Sequence, residues 1–348
     1  MSPGKEEDSS LGEIGEKRII REIFLKNIPS SAAFDVGPGD DAAVLRPVRG
    51  KMVVTTDMLV EDVHFDLTYF PPDLLGEKSI LVNISDISAM GAIPLTAFVS
   101  VGLPMGAGIS FVRKFARGLK RVLRRYNIPL GGGDTVRAEK FVVAVTLLGV
   151  LRGPSVNREG AKIGDHIYLS GIPGLSHLGL MLLREGALRK GTVSRAEKKA
   201  LARHLRPEVD VDLGCFIRER KVATAMIDTS DGVYADLGHI LEESKVGATI
   251  DLSEVPVSAS VKKIAVGFGY DWEDVALFGG EDYHLLFTVS PRKAKILSRW
   301  TGKSSLHRIG WIDKKRGIYL RRKGRTVKLP GRAKPFFDHF TVREIKDH

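Results

Sequence analysis

VATAMIDTSDGVYADLGHIL, residues 222–241, is the stretch from which the fold is read. Val222 to Ile227 is an apolar run without alternation, the pattern of a strand buried on both faces. Val233, Leu237, Ile240 and Leu241 follow at i, i+4, i+7 and i+8, one stripe of an amphipathic helix. Between strand and helix stand Asp228, Thr229, Ser230, Asp231 and Gly232. An N-cap needs one polar residue, and four are present here. A carboxylate ending a hydrophobic strand is costly without a positive partner. Strand-to-helix turns at the carboxyl ends of strands are also where α/β proteins place ligands. The stretch therefore reads as a cation or phosphate site.

Outward from this stretch, composition sets the frame. A chain of 348 residues, 43% of them hydrophobic, has material for about two ordinary domains with real cores. No apolar run approaches the roughly 20 residues of a membrane span, and MSPGKEEDSS lacks a signal-peptide core. The single cysteine, Cys215, excludes an internal disulfide and a cysteine-based zinc site, and fits a reducing cytoplasm. A net charge of +11 suits nucleic acid or anionic phosphate substrates equally.

In chain order, residues 1–12 read as a flexible tail and 13–27 as a helix. Residues 13–152 then form an amino-terminal domain, and 153–348 a carboxyl-terminal one, divided at the polar break RGPSVNREGAKIGD. Asp40 and Asp41 adjoin at the start of a short strand, where like charges repel unless a cation is near. KMVVTTD, 51–57, repeats the pattern of 222–228: an apolar strand running into hydroxyls and an aspartate. Pro71-Pro72 precedes a helix through about Met90, which carries Asp86 among Val82, Ile84 and Ile87. The basic helix 109–127 reads as a solvated face, because no base-stacking aromatics interleave its charges. Gly131-Gly132-Gly133-Asp134-Thr135 lets backbone approach a ligand ahead of the strand 141–151. Residues 248–252 read as an edge strand. Leu277-Phe278-Gly279-Gly280-Glu281-Asp282 again sets glycines and acids at a strand junction.

The dispersed aspartates lack the His or Cys partners of a zinc site. Oxygen-only ligands select hard cations, and their dispersion excludes an EF-hand loop. Aspartates that hold magnesium mainly through substrate phosphates describe a nucleotide-using enzyme.

GDDAAVL, TTDMLVEDVHF, NISDISAMGA, GGDT, DTSDG and GGEDY, in this order, resemble the thiamine-monophosphate kinases. That family belongs to the superfamily of aminoimidazole ribonucleotide synthetase. The resemblance covers residues from about 13 to 340. It implies the aminoimidazole ribonucleotide synthetase-like two-domain fold: an α+β amino-terminal domain, paired across a homodimer in a barrel-like sheet, and an α/β carboxyl-terminal domain. ATP and Mg2+ would lie in the cleft between the domains. Matched position by position, Asp41, Thr55, Thr56, Asp57, Asp86, Asp134, Asp228 and Asp231 would be metal ligands. Gly133, Asp134, Arg158 and Ser230 would meet ATP. His64, Glu281 and Phe337 would meet the thiamine side. Asp40 competes with Asp41, and Phe336 with Phe337.

The implied reaction is ATP-dependent phosphorylation of thiamine monophosphate to thiamine diphosphate in the cytoplasm. Its acceptor is a phosphate with a second pKa of about 6, so no strong general base is required. Neither nucleic acid nor membrane is expected as a partner. The nearest alternatives are another ATP-dependent enzyme of the same superfamily and, in a different class, a basic nucleic-acid-binding protein.

Overall fold

Two compact units emerge from the chain: Met1–Ser155 with Leu205–Arg218, and Val156–His204 with Glu219–His348. The computed structural model describes residues 15–27, 33–189 and 193–329.

The first unit opens with α1, an α-turn over Glu16–Arg18 that widens to a π-helix over Ile19–Leu25. The wider turn brings Ile19, Ile23 and Phe24 onto one buried side. The short strands β1 (Phe34–Val36) and β2 (Val44–Leu45) pair with each other. Then come β3 (Lys51–Val60), α2 (Pro72–Ala89), β4 (Ile93–Pro104), α3 (Ile109–Arg125), β5 (Leu130–Ala138) and β6 (Val142–Leu151). The sheet order is β3-β6-β4-β5, antiparallel except for β4 with β5.

Helix α2 is buried on nearly all sides from Leu75 to Ala89, with Asp86 half-buried within that run. Helix α3 crosses it so closely that a Cβ on Gly118 would lie 1.7 Å from the Asp73 carbonyl oxygen. The cations of α3 are not all solvated. Lys120 is buried, and its Nζ donates to the carbonyls of Ile23 and Lys26 at the end of α1. Burial, with Arg124 and Lys26 nearby, pushes its pKa down to about 8.

Two expectations are corrected in this unit. Strand β3 runs on to Val60, so Thr55, Thr56 and Asp57 sit within the strand and not at its end. Gly131 to Thr135 likewise lie inside β5, because an edge strand tolerates glycine where no side chain has to pack.

The second unit contains β7 (His166–Leu169), α4 (Leu175–Arg184) and α5 (Arg195–Leu205). The next helix, α6 (Val211–Glu219), belongs almost wholly to the first unit. There Ser88 Oγ donates to the Asp210 carbonyl, Tyr126 Oη to that of Val209, and Arg218 Nε to that of Gly91. The first unit thus runs to Ser155, close to the polar break, and a later segment, Leu205–Arg218, groups with it.

Strands β8 (Ala223–Asp228), β9 (Gly247–Asp251), β10 (Leu285–Val289), β11 (His307–Asp313), β12 (Gly317–Arg322) and β13 (Arg325–Lys328) join β7 in one sheet. Its order is β13-β12-β9-β11-β7-β10-β8, with β9 and β12 the parallel pair. Helices α7 (Val233–Ser244), α8 (Ala259–Gly267), α9 (Trp272–Phe278) and α10 (Ala294–Leu297), with a 3-10 turn at Ala187–Arg189, complete the described elements.

The expected edge strand, β9, is in fact interior and buried at every residue, flanked by β11 and β12. The edges are β13 and β8, the latter the strand of the opening stretch. The open side of β8 is covered by the polar break: Met226 N donates to the Asn157 carbonyl at 2.9 Å. Ser244 Oγ fixes that segment, accepting from Gly160 N and Ala161 N at 3.1 Å each.

Candidate active site

In the first unit, strand alternation aims Thr55 and Asp57 toward α2, where Thr55 Oγ1 donates to Asp86 Oδ2. Burial, with the Asp86 carboxylate second, pushes Asp57 up to about 6. Burial and the mutual repulsion of the two carboxylates are a penalty that a bound cation would relieve. Thr56 does not join them. Its side chain points to the opposite face and meets Val145 O and Thr146 Oγ1, so only its backbone remains for a ligand on the Asp57 side.

Asp40, Asp41, Gly133 and Asp134 line one cavity of about 460 Å3, which Phe24 and Phe98 also border. Asp40 Oδ1 accepts from Asp41 N at 2.9 Å. Gly133 passes so near β4 that a Cβ would lie 1.8 Å from the Val99 carbonyl oxygen. The pairings Asp57–Val145–Val99–Gly133 run straight across the sheet. Asp57 is thus three strand spacings from Gly133, roughly 14 Å. The cavity and the Asp57–Asp86 pair are separate subsites of this unit. His64 Nδ1 accepts from Val60 N at 3.1 Å, which orients the half-buried ring.

In the second unit, antiparallel pairing of β8 with β10 sets Asp228 opposite Leu285. This brings the loops 228–232 and 279–284 together. Thr229 N donates to the His284 carbonyl at 2.8 Å, Glu281 N to that of Ser230 at 2.7 Å, and Tyr283 N to that of Thr229 at 2.8 Å. Asp228 and Thr229 are buried, Ser230 is half-buried and Asp231 is exposed. Asp231 does not cap α7. The cap position is Gly232, without a side-chain bond. A structural cap therefore does not account for Asp231.

The opening stretch held two further groups that its reading as a helix passed over, Asp236 and His239. With Asp231 they present ligand atoms within 4.8 Å of one another. Burial, then the Asp228 and Asp231 carboxylates, raise the Asp236 carboxyl well above the usual range. The positions i, i+5 and i+8 from Asp231 were the available signal. Arg158 is exposed and lies in the segment that covers β8. Phe336 and Phe337 fall outside the described residues.

The chain matches the family model of the AIR synthase related protein, N-terminal domain, over residues 39–151, and that of the C-terminal domain over 162–323. It is 35% identical over 310 residues to a thiamine-monophosphate kinase of Aquifex aeolicus, covering 89% of this chain and 95% of that one. A thiamine-monophosphate kinase structure from Stenotrophomonas maltophilia superposes with a TM-score of 0.76 at 34% identity, covering 87% of this chain and 94% of that one. The structure of AaThiL complexed with AMPPCP and TMP does so at 0.71 and 34%, covering 92% and 96%.

Proposed function

The chain belongs to the AIR synthase related proteins and, within them, to the thiamine-monophosphate kinases; from that premise we infer the reaction and the residues that carry it. The protein is a kinase that transfers the γ-phosphoryl group of ATP to thiamine monophosphate, giving thiamine diphosphate. The carrying observation is the likeness, over 92% of the chain, to a protein bound to both an ATP analogue and TMP.

The residues fit Mg2+ as the working cation. The donors are oxygens, and the Asp57–Asp86 pair carries a burial and repulsion penalty that a cation relieves. In the first unit Asp57 and Asp86 would hold it, with Thr55 through its hydroxyl and Thr56 through its backbone; in the second unit Asp228 and Asp231 offer carboxylates of the same kind. When bound, Mg2+ neutralises phosphate charge and stabilises the charge that spreads in transfer.

The chain's own groups do the rest. Asp41, Gly133 and Asp134 shape the nucleotide cavity, with Arg158 and Ser230 contacting ATP. His64 and Glu281 orient the thiamine moiety. No residue need take a proton, because the acceptor phosphate is already largely ionised at neutral pH. Positioning for in-line attack is the protein's main contribution.

A homodimer is part of this reading. Its support is the face of the first sheet opposite α2, where Met52, Val54 and Met58 stand 43%, 61% and 57% exposed. The single cysteine supports a cytoplasmic setting.

The test is product formation with ATP and Mg2+ from two acceptors. Thiamine monophosphate should yield the diphosphate, and free thiamine should not react. An alcohol acceptor has to lose a proton, and the proposed roles leave that step without a base. Turnover of thiamine alone would overturn the assignment.

A further inference from the structure

Glu281 and Asp282 are consecutive acids with opposite fates. Asp282 is buried, and its carboxylate accepts from Gly174 N and, at 2.8 Å, from Ser176 N at the start of α4. Glu281 is held at φ +64, a left-handed conformation uncommon for a side chain of its size. Its amide is anchored on Ser230, and its side chain keeps 28% of its surface open to solvent.

The open carboxylate is nonetheless gripped from behind. His204 Nδ1 lies 3.3 Å from Glu281 Oε2, and the ring itself is 1% exposed. The same Nδ1 lies 3.1 Å from Ser176 Oγ. Ser176 is thus common to both acids: its amide serves Asp282, and its hydroxyl meets the nitrogen that faces Glu281. A buried imidazole between a hydroxyl and one carboxylate oxygen has a fixed ring plane. It also fixes the Glu281 rotamer, which free in solvent would sample many.

We infer that His204 is a positioning residue: it aims Glu281 at the thiamine moiety and so sets affinity for the acceptor substrate. This rests on the reading of Glu281 as a substrate-binding residue. Thiamine offers a cationic thiazolium and an aminopyrimidine, both suited to a carboxylate partner. Freezing a long side chain on binding costs affinity, and a rotamer already fixed avoids that cost. Because the contact concerns the acceptor, ATP affinity and the transfer step are spared. A core histidine that only fills space would give no such selectivity.

The experiment is steady-state kinetics on the full chain with His204→Ala, His204→Asn, Glu281→Gln and the double variant H204A/E281Q. His204→Ala should raise KM for thiamine monophosphate at least about tenfold, with kcat and KM for ATP within about twofold. His204→Asn, whose amide can take the place of Nδ1, should restore KM to within about threefold of the parent. The double variant should be no worse than Glu281→Gln alone, because the effect runs through that carboxylate. Melting temperatures report on folding, and His204→Leu replaces His204→Ala if the latter is unfolded at assay temperature. A raised KM in Glu281→Gln with an unchanged KM in His204→Ala overturns the inference alone. An unchanged KM in Glu281→Gln removes the binding role of Glu281 and this inference with it. Additive losses in the double variant overturn the coupling.

Discussion

Asp57 shows how one residue couples stability to function. Its folded pKa of about 6 lies above its ordinary value, because burial and Asp86 disfavour the charge. The folded state therefore binds the proton more tightly than the unfolded state does. The stability from this group is complete below about pH 4 and is lost as pH rises toward 6 and beyond. A shift of this size corresponds to roughly 2–3 kcal/mol. Without ligands, Asp57→Asn should raise the melting temperature at pH 8 and flatten its fall between pH 4 and 6. The same variant should lose about 100-fold or more in kcat/KM, because the amide removes the charge that holds a hard cation. Thermal melts across pH, beside magnesium-dependent rates, check both; an unaltered rate would assign Asp57 a structural role only. Residue types were legible in the sequence, but their aim was less so. Period-two alternation would have separated Thr56 from Thr55 and Asp57. His204 carried no local signal, since only the fold brings it to Glu281.

Among elements, the crossing of α2 and α3 holds the smallest tolerance. Gly118 has no room for a Cβ against the Asp73 carbonyl, and that carbonyl is backbone, which cannot swing aside. Gly118→Ala should cost about 1–3 kcal/mol through overpacking, read as a lower melting temperature. Substrate KM values in the folded fraction should stay near normal. An unchanged melting temperature would mean that the crossing relaxes freely. Most elements followed from periodicity: α2, α3, β6, β8 and α7 lie where apolar spacing predicts them. Spacing did not give the order of strands in the sheet. Long-range pairing places β9 inside and β8 at the edge, and no local pattern encodes it. The π-helix at Ile19–Leu25 also escaped, since its apolar residues satisfy either helical period.

For the whole molecule, the open face of the first sheet is where association is expected. Val54→Glu with Met58→Glu puts two charges on that face, so light scattering should change from two chains per particle to one. Two chains per particle in the variant would place the interface elsewhere. The two-unit division was legible from the polar break near residue 152. The return of residues 205–218 was not, because α6 reads locally like any amphipathic helix.

That return has a consequence for synthesis on the ribosome. The first unit is not finished when Ser155 is made; it waits for Leu205–Arg218. At about 5–20 residues per second, the intervening 60 or so residues take on the order of 3–12 s. During that interval the surface around Ser88, Gly91 and Tyr126 lacks the segment that satisfies it. The nascent amino-terminal half therefore carries that surface uncovered until residue 218 is made, and a chain truncated just after residue 155 keeps it uncovered permanently.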